Sequence, residues 1–126
     1  MAVGRLSVFA LDCPDPHALA VFYAAVTGWE MDDDAGADDE WVEVYDPDIP
    51  IALAFQRVPD YRRPEWPGAE HPQQAHLDVN VTDLDAGEAE VLRLGAVKAE
   101  YQPGTSFRVF LDPVGHPFCL VLDSGD

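Results

Sequence analysis

The side chains best suited to chemistry in this 126-residue chain sit on alternating apolar runs, not in a known catalytic motif. His76 stands in Gln74-Ala75-His76-Leu77-Asp78-Val79-Asn80-Val81, where polar and apolar residues alternate strictly. A period of two puts Gln74, His76, Asp78 and Asn80 on one face of a strand. A polar face inside a sheet calls for water or a ligand beside it, since buried polar groups must be paired. His76 and Asp78 are therefore candidate ligand-cavity residues, and the His76 imidazole suits general-base work near neutral pH. The plain alternative is a satisfied polar side chain. Gln56 follows Ala52 and Ala54 on one face of an apolar run, and small residues beside a polar one leave room for a ligand; an edge-of-sheet glutamine is the alternative. Arg108 interrupts Phe107, Val109, Phe110 and Leu111. It could grip a carboxylate or phosphate bidentately, although pairing with one of the 24 acids is the favoured reading. Trp66, like Trp41, Tyr45 and Tyr101, could stack on a flat ligand, though packing is the commoner use. Cys119 reads as a small buried hydrophobe unless a cationic neighbour, with His76 the candidate, stabilises its thiolate. Serine-elbow, phosphate-loop, dinucleotide and HExxH motifs are absent from the sequence.

The elements that must position these residues occur twice. Asp15-Pro16 opens a helical stretch that stops at Gly28, and Asp83-Leu84 opens another that stops at Gly95. Asp46-Pro47 and Asp112-Pro113 each precede an apolar run. Asp83 lies 68 residues after Asp15, Gly95 lies 67 after Gly28, and Asp112 lies 66 after Asp46. Three landmarks in one order at nearly one spacing argue for a duplicated unit, and the cleft of a paired unit is a natural ligand site. In the first copy, strands are predicted over Leu6 to Leu11, Trp29 to Met31, Trp41 to Tyr45 and Ile51 to Val58. Its helix is capped by Asp15 and faces the core with Leu19, Phe22, Tyr23 and Val26. In the second copy, strands are predicted over Gln74 to Val81, Val97 to Tyr101, Ser106 to Leu111 and Pro117 to Leu122. Its helix is capped by Asp83, with Leu84, Val91 and Leu92 toward the core; Gly87 weakens it by about 1 kcal/mol relative to alanine. Each copy is thus β-α-β-β-β. The chain reads as one domain, with module one over residues 1–58, a linker over 59–73 and module two over 74–126. The linker holds four prolines but also Tyr61, Trp66 and His71, more than a passive connection needs. The acidic stretch Asp32 to Glu40 lacks the residue order of a calcium loop and reads as a solvated hairpin loop.

Taken together, these segments resemble the vicinal oxygen chelate superfamily, which includes glyoxalase I, extradiol dioxygenases and bleomycin-resistance proteins. The matching text is Ala20-Val21-Phe22-Tyr23 with Thr27-Gly28-Trp29 in the first copy. In the second it is His76-Leu77-Asp78-Val79, Val81-Thr82-Asp83-Leu84 and Leu94-Gly95-Ala96. The closing Asp112-Pro113-Val114-Gly115-His116-Pro117-Phe118-Cys119-Leu120 resembles the family's ending. The segment Ala54 to Pro59 and the cysteine in that ending most resemble the bacterial glyoxalase-like domain subgroup. The resemblance implies an α+β fold: two βαβββ modules in one chain, forming curved mixed sheets with helices outside. It also implies a homodimer.

In metal-using members, the first and last strand of each module each offer one ligand to a divalent ion that polarises vicinal oxygens. His76 lies at such a position. Its counterpart seven residues before Asp15 is Val8, which cannot bind metal. The last-strand position is Cys119 in the second copy and Ala54 or Gln56 in the first. Any metal would thus be held by His76 with Gln56 and Cys119, and a third strong ligand is missing. No cofactor is expected. The favoured function is a small-molecule-binding cup, either sequestering or metal-free catalytic, with Gln56, Trp66, His76, Asp78, Arg108 and Cys119 as its contacts and His76 as the candidate catalytic group. The alternatives are a metal-dependent lyase, isomerase or dioxygenase, and an interaction subunit whose cup is filled by its own aromatic side chains.

Composition bounds the rest. Seven basic against 24 acidic residues give a net charge of −17, which repels a phosphate backbone and argues against nucleic acid. No apolar run approaches the roughly 20 residues of a membrane span. The opening residues lack a signal-peptide pattern, so a cytoplasmic location is expected. Cys13 and Cys119 show neither disulfide-framework nor metal-ligand spacing and are expected to be reduced.

Overall fold

A computed structural model describes residues 2, 5–32 and 34–123. The chain forms two compact units, the first ending at Tyr61 and the second beginning at Arg62. The first unit runs β1 (Val8–Cys13), α1 (Pro16–Thr27), β2 (Glu30–Met31), β3 (Trp41–Tyr45) and β4 (Ala52–Arg57). The second runs β5 (Leu77–Val81), α2 (Leu84–Arg93), β6 (Val97–Lys98), β7 (Phe107–Leu111) and β8 (Pro117–Leu122). Their sheets have the same order, β1-β4-β3-β2 and β5-β8-β7-β6. In each, the first strand lies parallel to the last, and the other pairs are antiparallel. The chain is α+β, with the duplication expected from the landmarks. No helix among the described residues is long and apolar enough to cross a membrane.

The repeated residues do the same local work in both copies. Asp15 Oδ1 accepts from the Ala18 amide at 3.2 Å, and Asp83 Oδ1 accepts from the Ala86 amide at 3.0 Å. Each supplies an acceptor to a helical N–H that has none within the helix. Gly28 and Gly95 take left-handed φ values of 74° and 113° just beyond the two helices, where a side chain would be strained. Asp46 and Asp112 each fold a turn onto their own carboxylates: Asp46 Oδ1 accepts from Asp48 N, and Asp112 Oδ1 from Val114 N and His116 N, all at 2.9 Å. Asp112 is fully buried. The acidic loop after β2 closes similarly, with Asp39 Oδ2 accepting from the Gly36 amide.

Each helix covers one face of its own sheet. In the first unit Tyr23 stacks on Phe55, with ring centroids 5.4 Å apart, in a core that includes Leu11, Val42, Val44 and Leu53. In the second, a Cβ on Gly87 would stand 3.1 Å from Leu120 and 3.3 Å from Val81, so the missing side chain lets α2 lie close on β5 and β8. That close approach is why a glycine sits mid-helix there. Val91 is buried as expected, but Leu92 is 41% exposed and faces solvent. It lies one residue, about 100° of helix, beyond the packed stripe. The strand expected at Val97 to Tyr101 is only two residues long. Beyond it the Gln102 side chain replaces the ladder: its Nε2 donates to the Ala99 and Val109 carbonyls at 2.8 and 2.9 Å, and its Oε1 accepts from Val109 N at 2.9 Å.

Candidate functional site

The site grows from the pleat of β5 and β8. Asp78 pairs in register with Cys119, and Cys119 with Val109. Residues paired in register share a face, so Asp78, Cys119 and Val109 point together, away from α2. His76 lies just before β5 and brings its Nε2 to 3.3 Å from Asp78 Oδ1. His76 and Asp78 are exposed and Cys119 is buried; one donor atom from each lies within 4.8 Å of the other two. The alternation in the sequence thus converts directly into a three-residue cluster. Asp78, a candidate already from the alternation, is the third donor of the cluster.

Trp66 joins this cluster from the segment expected to be a linker. That segment belongs to the second unit from Arg62 onward, and Trp66 packs on the patch of Ala99, Val109 and Cys119. Its ring centroid lies 5.7 Å from that of Tyr101. The segment is held by its own contacts: Glu65 N donates to His71 O, and Glu65 pairs with Pro72 in an isolated bridge. His71 has both ring nitrogens engaged, Nδ1 with Glu65 Oε1 at 3.0 Å and Nε2 with Arg62 Nη1 at 2.6 Å. Glu65, Glu70 and His71 also cluster, but a ring with both nitrogens engaged has no lone pair for a cation.

Arg108 is not part of the cluster. It pairs with Leu120 and so points to the α2 face, where its guanidinium meets Asp85 Oδ1 at 2.9 Å and Glu88 Oε1 at 3.1 Å. Those two carboxylates hold its pKa above the usual arginine value. Arg108 thus makes the acid pairing favoured from the sequence, rather than joining the other candidate contacts, because strand parity sends its side chain to the other side of the sheet.

The register also decides between Ala54 and Gln56. In the first unit Val8 pairs with Ala52, Ala10 with Ala54 and Asp12 with Gln56. Ala10-Ala54 is therefore the counterpart of Asp78-Cys119, and Gln56 lies one row further on, beside Trp41 and Asp12. The cluster His76, Asp78, Cys119 becomes Val8, Ala10, Ala54 in the first copy. Gln56 is exposed and stands off the donor register.

Electrostatics set the state of the thiol. Burial, then the Asp78 charge and a hydrogen bond to Asp78, push Cys119 from 9.0 up to about 11. All three act in the same direction, so Cys119 is a protonated thiol at neutral pH rather than a nucleophile. Cys13 is likewise raised to about 11, chiefly by burial, and its thiol donates to Gln56 O. Both cysteines are free.

A divalent Lewis acid of the magnesium, manganese or iron(II) kind prefers nitrogen and oxygen donors. The second unit offers it one nitrogen, one carboxylate and a protonated thiol. The first unit offers Val8, Ala10 and Ala54 at the equivalent positions. This donor set does not fit such an ion.

A family model described as a glyoxalase-like domain matches residues 8–121. No curated protein matches the sequence at a significant level. Among solved structures, a glyoxalase/bleomycin resistance protein/dioxygenase family enzyme from Burkholderia phytofirmans is similar with a TM-score of 0.70 at 14% identity, over 94% of this chain and 98% of that one. TnmS3, an antibiotic binding protein from a Streptomyces species, is similar with a TM-score of 0.61 at 21% identity, over 98% and 99%. The oxidase ChaP-H2 is similar with a TM-score of 0.61 at 22% identity, over 97% and 95%.

Proposed function

The chain belongs to the glyoxalase-like domain family, and from that premise we propose that it binds a small molecule on the far face of its second sheet, without a metal. The observation that carries this reading is the meeting of an exposed His76–Asp78 pair with the half-buried Trp66 over Cys119 and Val109. An aromatic plane supplies apolar contact area, and two polar side chains beside it orient a ligand. The pairing suits a flat molecule with a hydrogen-bonding or cationic edge. Metal independence is supported by the donor set, which offers a hard Lewis acid one nitrogen and one carboxylate beside a protonated thiol, too few for the ion. The fold itself decides little, since one structural neighbour is named for antibiotic binding and others as an enzyme and an oxidase.

The test is tryptophan fluorescence of the full chain against a panel of flat, polar-edged small molecules, with and without chelator. A binding molecule is expected to quench emission equally in both conditions. Trp66→Phe should remove most of the quench, and His76→Ala should weaken the affinity by about tenfold, the loss of one hydrogen bond to a charged group. Unchanged affinity in both variants would rule out this face, and binding abolished by chelator would rule out metal independence.

A further inference from the structure

The loop that carries Trp66 is tied by one histidine between partners of opposite charge. We propose that His71 is a proton-sensitive clasp. Neutral, it holds Arg62 and Glu65 together and fixes the seat of Trp66; protonated, it lets Arg62 go.

The tautomer follows from the partners. A guanidinium has only N–H groups to offer, so Arg62 Nη1, 2.6 Å from His71 Nε2, donates and Nε2 accepts. The ring proton must then sit on Nδ1, which lies 3.0 Å from Glu65 Oε1 and donates to it. The backbone adds a tie from Glu65 N to His71 O. Trp66 stands between these tied residues, half-buried against Ala99, Val109 and Cys119. The chain on the other side of the clasp is also anchored. Arg63 lies so close over Gly115 that a Cβ there would stand 2.6 Å from its Nε. Gly115 belongs to the turn between β7 and β8. The Arg62–His71 contact thus couples the Trp66 loop to a residue whose neighbour is seated on the turn leading to Cys119.

A second ring proton has one place to go, Nε2, and there it meets Arg62. Two cations then face each other where a hydrogen bond stood, with no lone pair between them. Among the described residues, the charged side chains that meet the ring are Arg62, Glu65 and Glu70. The two carboxylates hold the imidazolium, and the guanidinium is expelled. Acidification therefore keeps the Glu65 contact and breaks the Arg62 contact. Histidine is the side chain that changes charge between about pH 5 and 8. The sign is fixed: the clasp is closed at the upper end of that range and opens as pH falls. This inference goes beyond the small-molecule reading, and only its consequence for binding, a looser Trp66 at low pH, rests on that reading.

The experiment needs no ligand, so it stands or fails separately from the fluorescence panel. It is NMR of the isotope-labelled full chain from about pH 8 to pH 5, following the histidine ring nitrogens and the Trp66 indole N–H, the latter assigned by its loss in Trp66→Phe. His76→Gln serves as the background, so that the other ring near the patch does not titrate. At the upper pH the His71 ring should carry its proton on Nδ1. The Trp66 signal should shift as that ring gains its second proton. Adding His71→Gln should abolish the shift. Adding Arg62→Met should place the Trp66 signal, already at the upper pH, where the background chain brings it only on acidification. A His71 proton on Nε2 at the upper pH would overturn the proposal. So would a Trp66 signal that stays still while the ring titrates, a shift that survives His71→Gln, or a response unchanged by Arg62→Met.

Discussion

Cys119 illustrates how a single side chain takes its chemistry from its neighbours. The sequence offers His76 as a cation that could sharpen the thiol. In the fold, Asp78 reaches it instead and acts in the opposite sense. The sign for stability follows from the direction. Both thiols have folded values near 11 against 9.0 when free. A group raised on folding contributes fully below its unfolded value, and that contribution is lost as pH rises through its folded value. The native chain should therefore lose stability between about pH 9 and pH 11 as the thiols ionise. A disulfide reagent such as dithiobisnitrobenzoate, used at mildly alkaline pH below both values, should label the native chain slowly and the urea-unfolded chain at once. Rapid labelling of the native chain under those conditions would show that the thiols are neither buried nor raised. Arg108 teaches the same lesson with opposite charge, since its two carboxylate partners on α2 leave it bound to acids of its own unit.

At the scale of elements, the short strands depend on side chains that finish what the backbone leaves open. β6 offers only Val97 and Lys98 to β7. Gln102 then supplies three hydrogen bonds to backbone groups of Ala99 and Val109. Val109 is buried on the face that carries Cys119, so this repair lies directly beside the proposed site. Gln102→Ala should cost about 1–3 kcal/mol, because it takes their side-chain partner from the Val109 amide and the Ala99 carbonyl, while the Val109 carbonyl keeps the Ala99 amide. Urea unfolding would read this as a lower midpoint at unchanged slope. A loss below about 0.5 kcal/mol would mean that water replaces the carboxamide without penalty. Element boundaries were legible to within a few residues from caps and alternation. The bonds from Gln102 were not, because their partners lie three and seven residues away around a turn that periodicity does not describe.

At the scale of the whole molecule, net charge bears on self-association. With −17 on each copy, self-association must overcome repulsion between like-charged surfaces. A homodimer, which the family resemblance implies, should be favoured by added salt, which screens exposed charges beyond about 10 Å at 0.1 M. Light scattering after size exclusion should give twice the monomer mass, with the dimer fraction rising from low to moderate salt. A single monomeric species at all salt concentrations would remove the homodimer. The duplication has also diverged. Caps, turns and sheet order are kept in both copies, while His76, Asp78 and Cys119 have Val8, Ala10 and Ala54 as their counterparts in the first.

The sequence by itself determined the βαβββ duplication, because capping aspartates, terminal glycines and strand alternation act through local backbone chemistry. It also determined that His76 and Asp78 share a face, since the two-residue period of a strand is local. Three matters needed tertiary structure. The pairing register made Ala54, rather than Gln56, the counterpart of Cys119. Packing of the segment after Arg62 placed Trp66 on that same patch. Strand pairing brought Cys119 beside Asp78 across 41 residues of chain. Register, packing and cross-strand approach depend on residues far apart in the chain, and no local period encodes them.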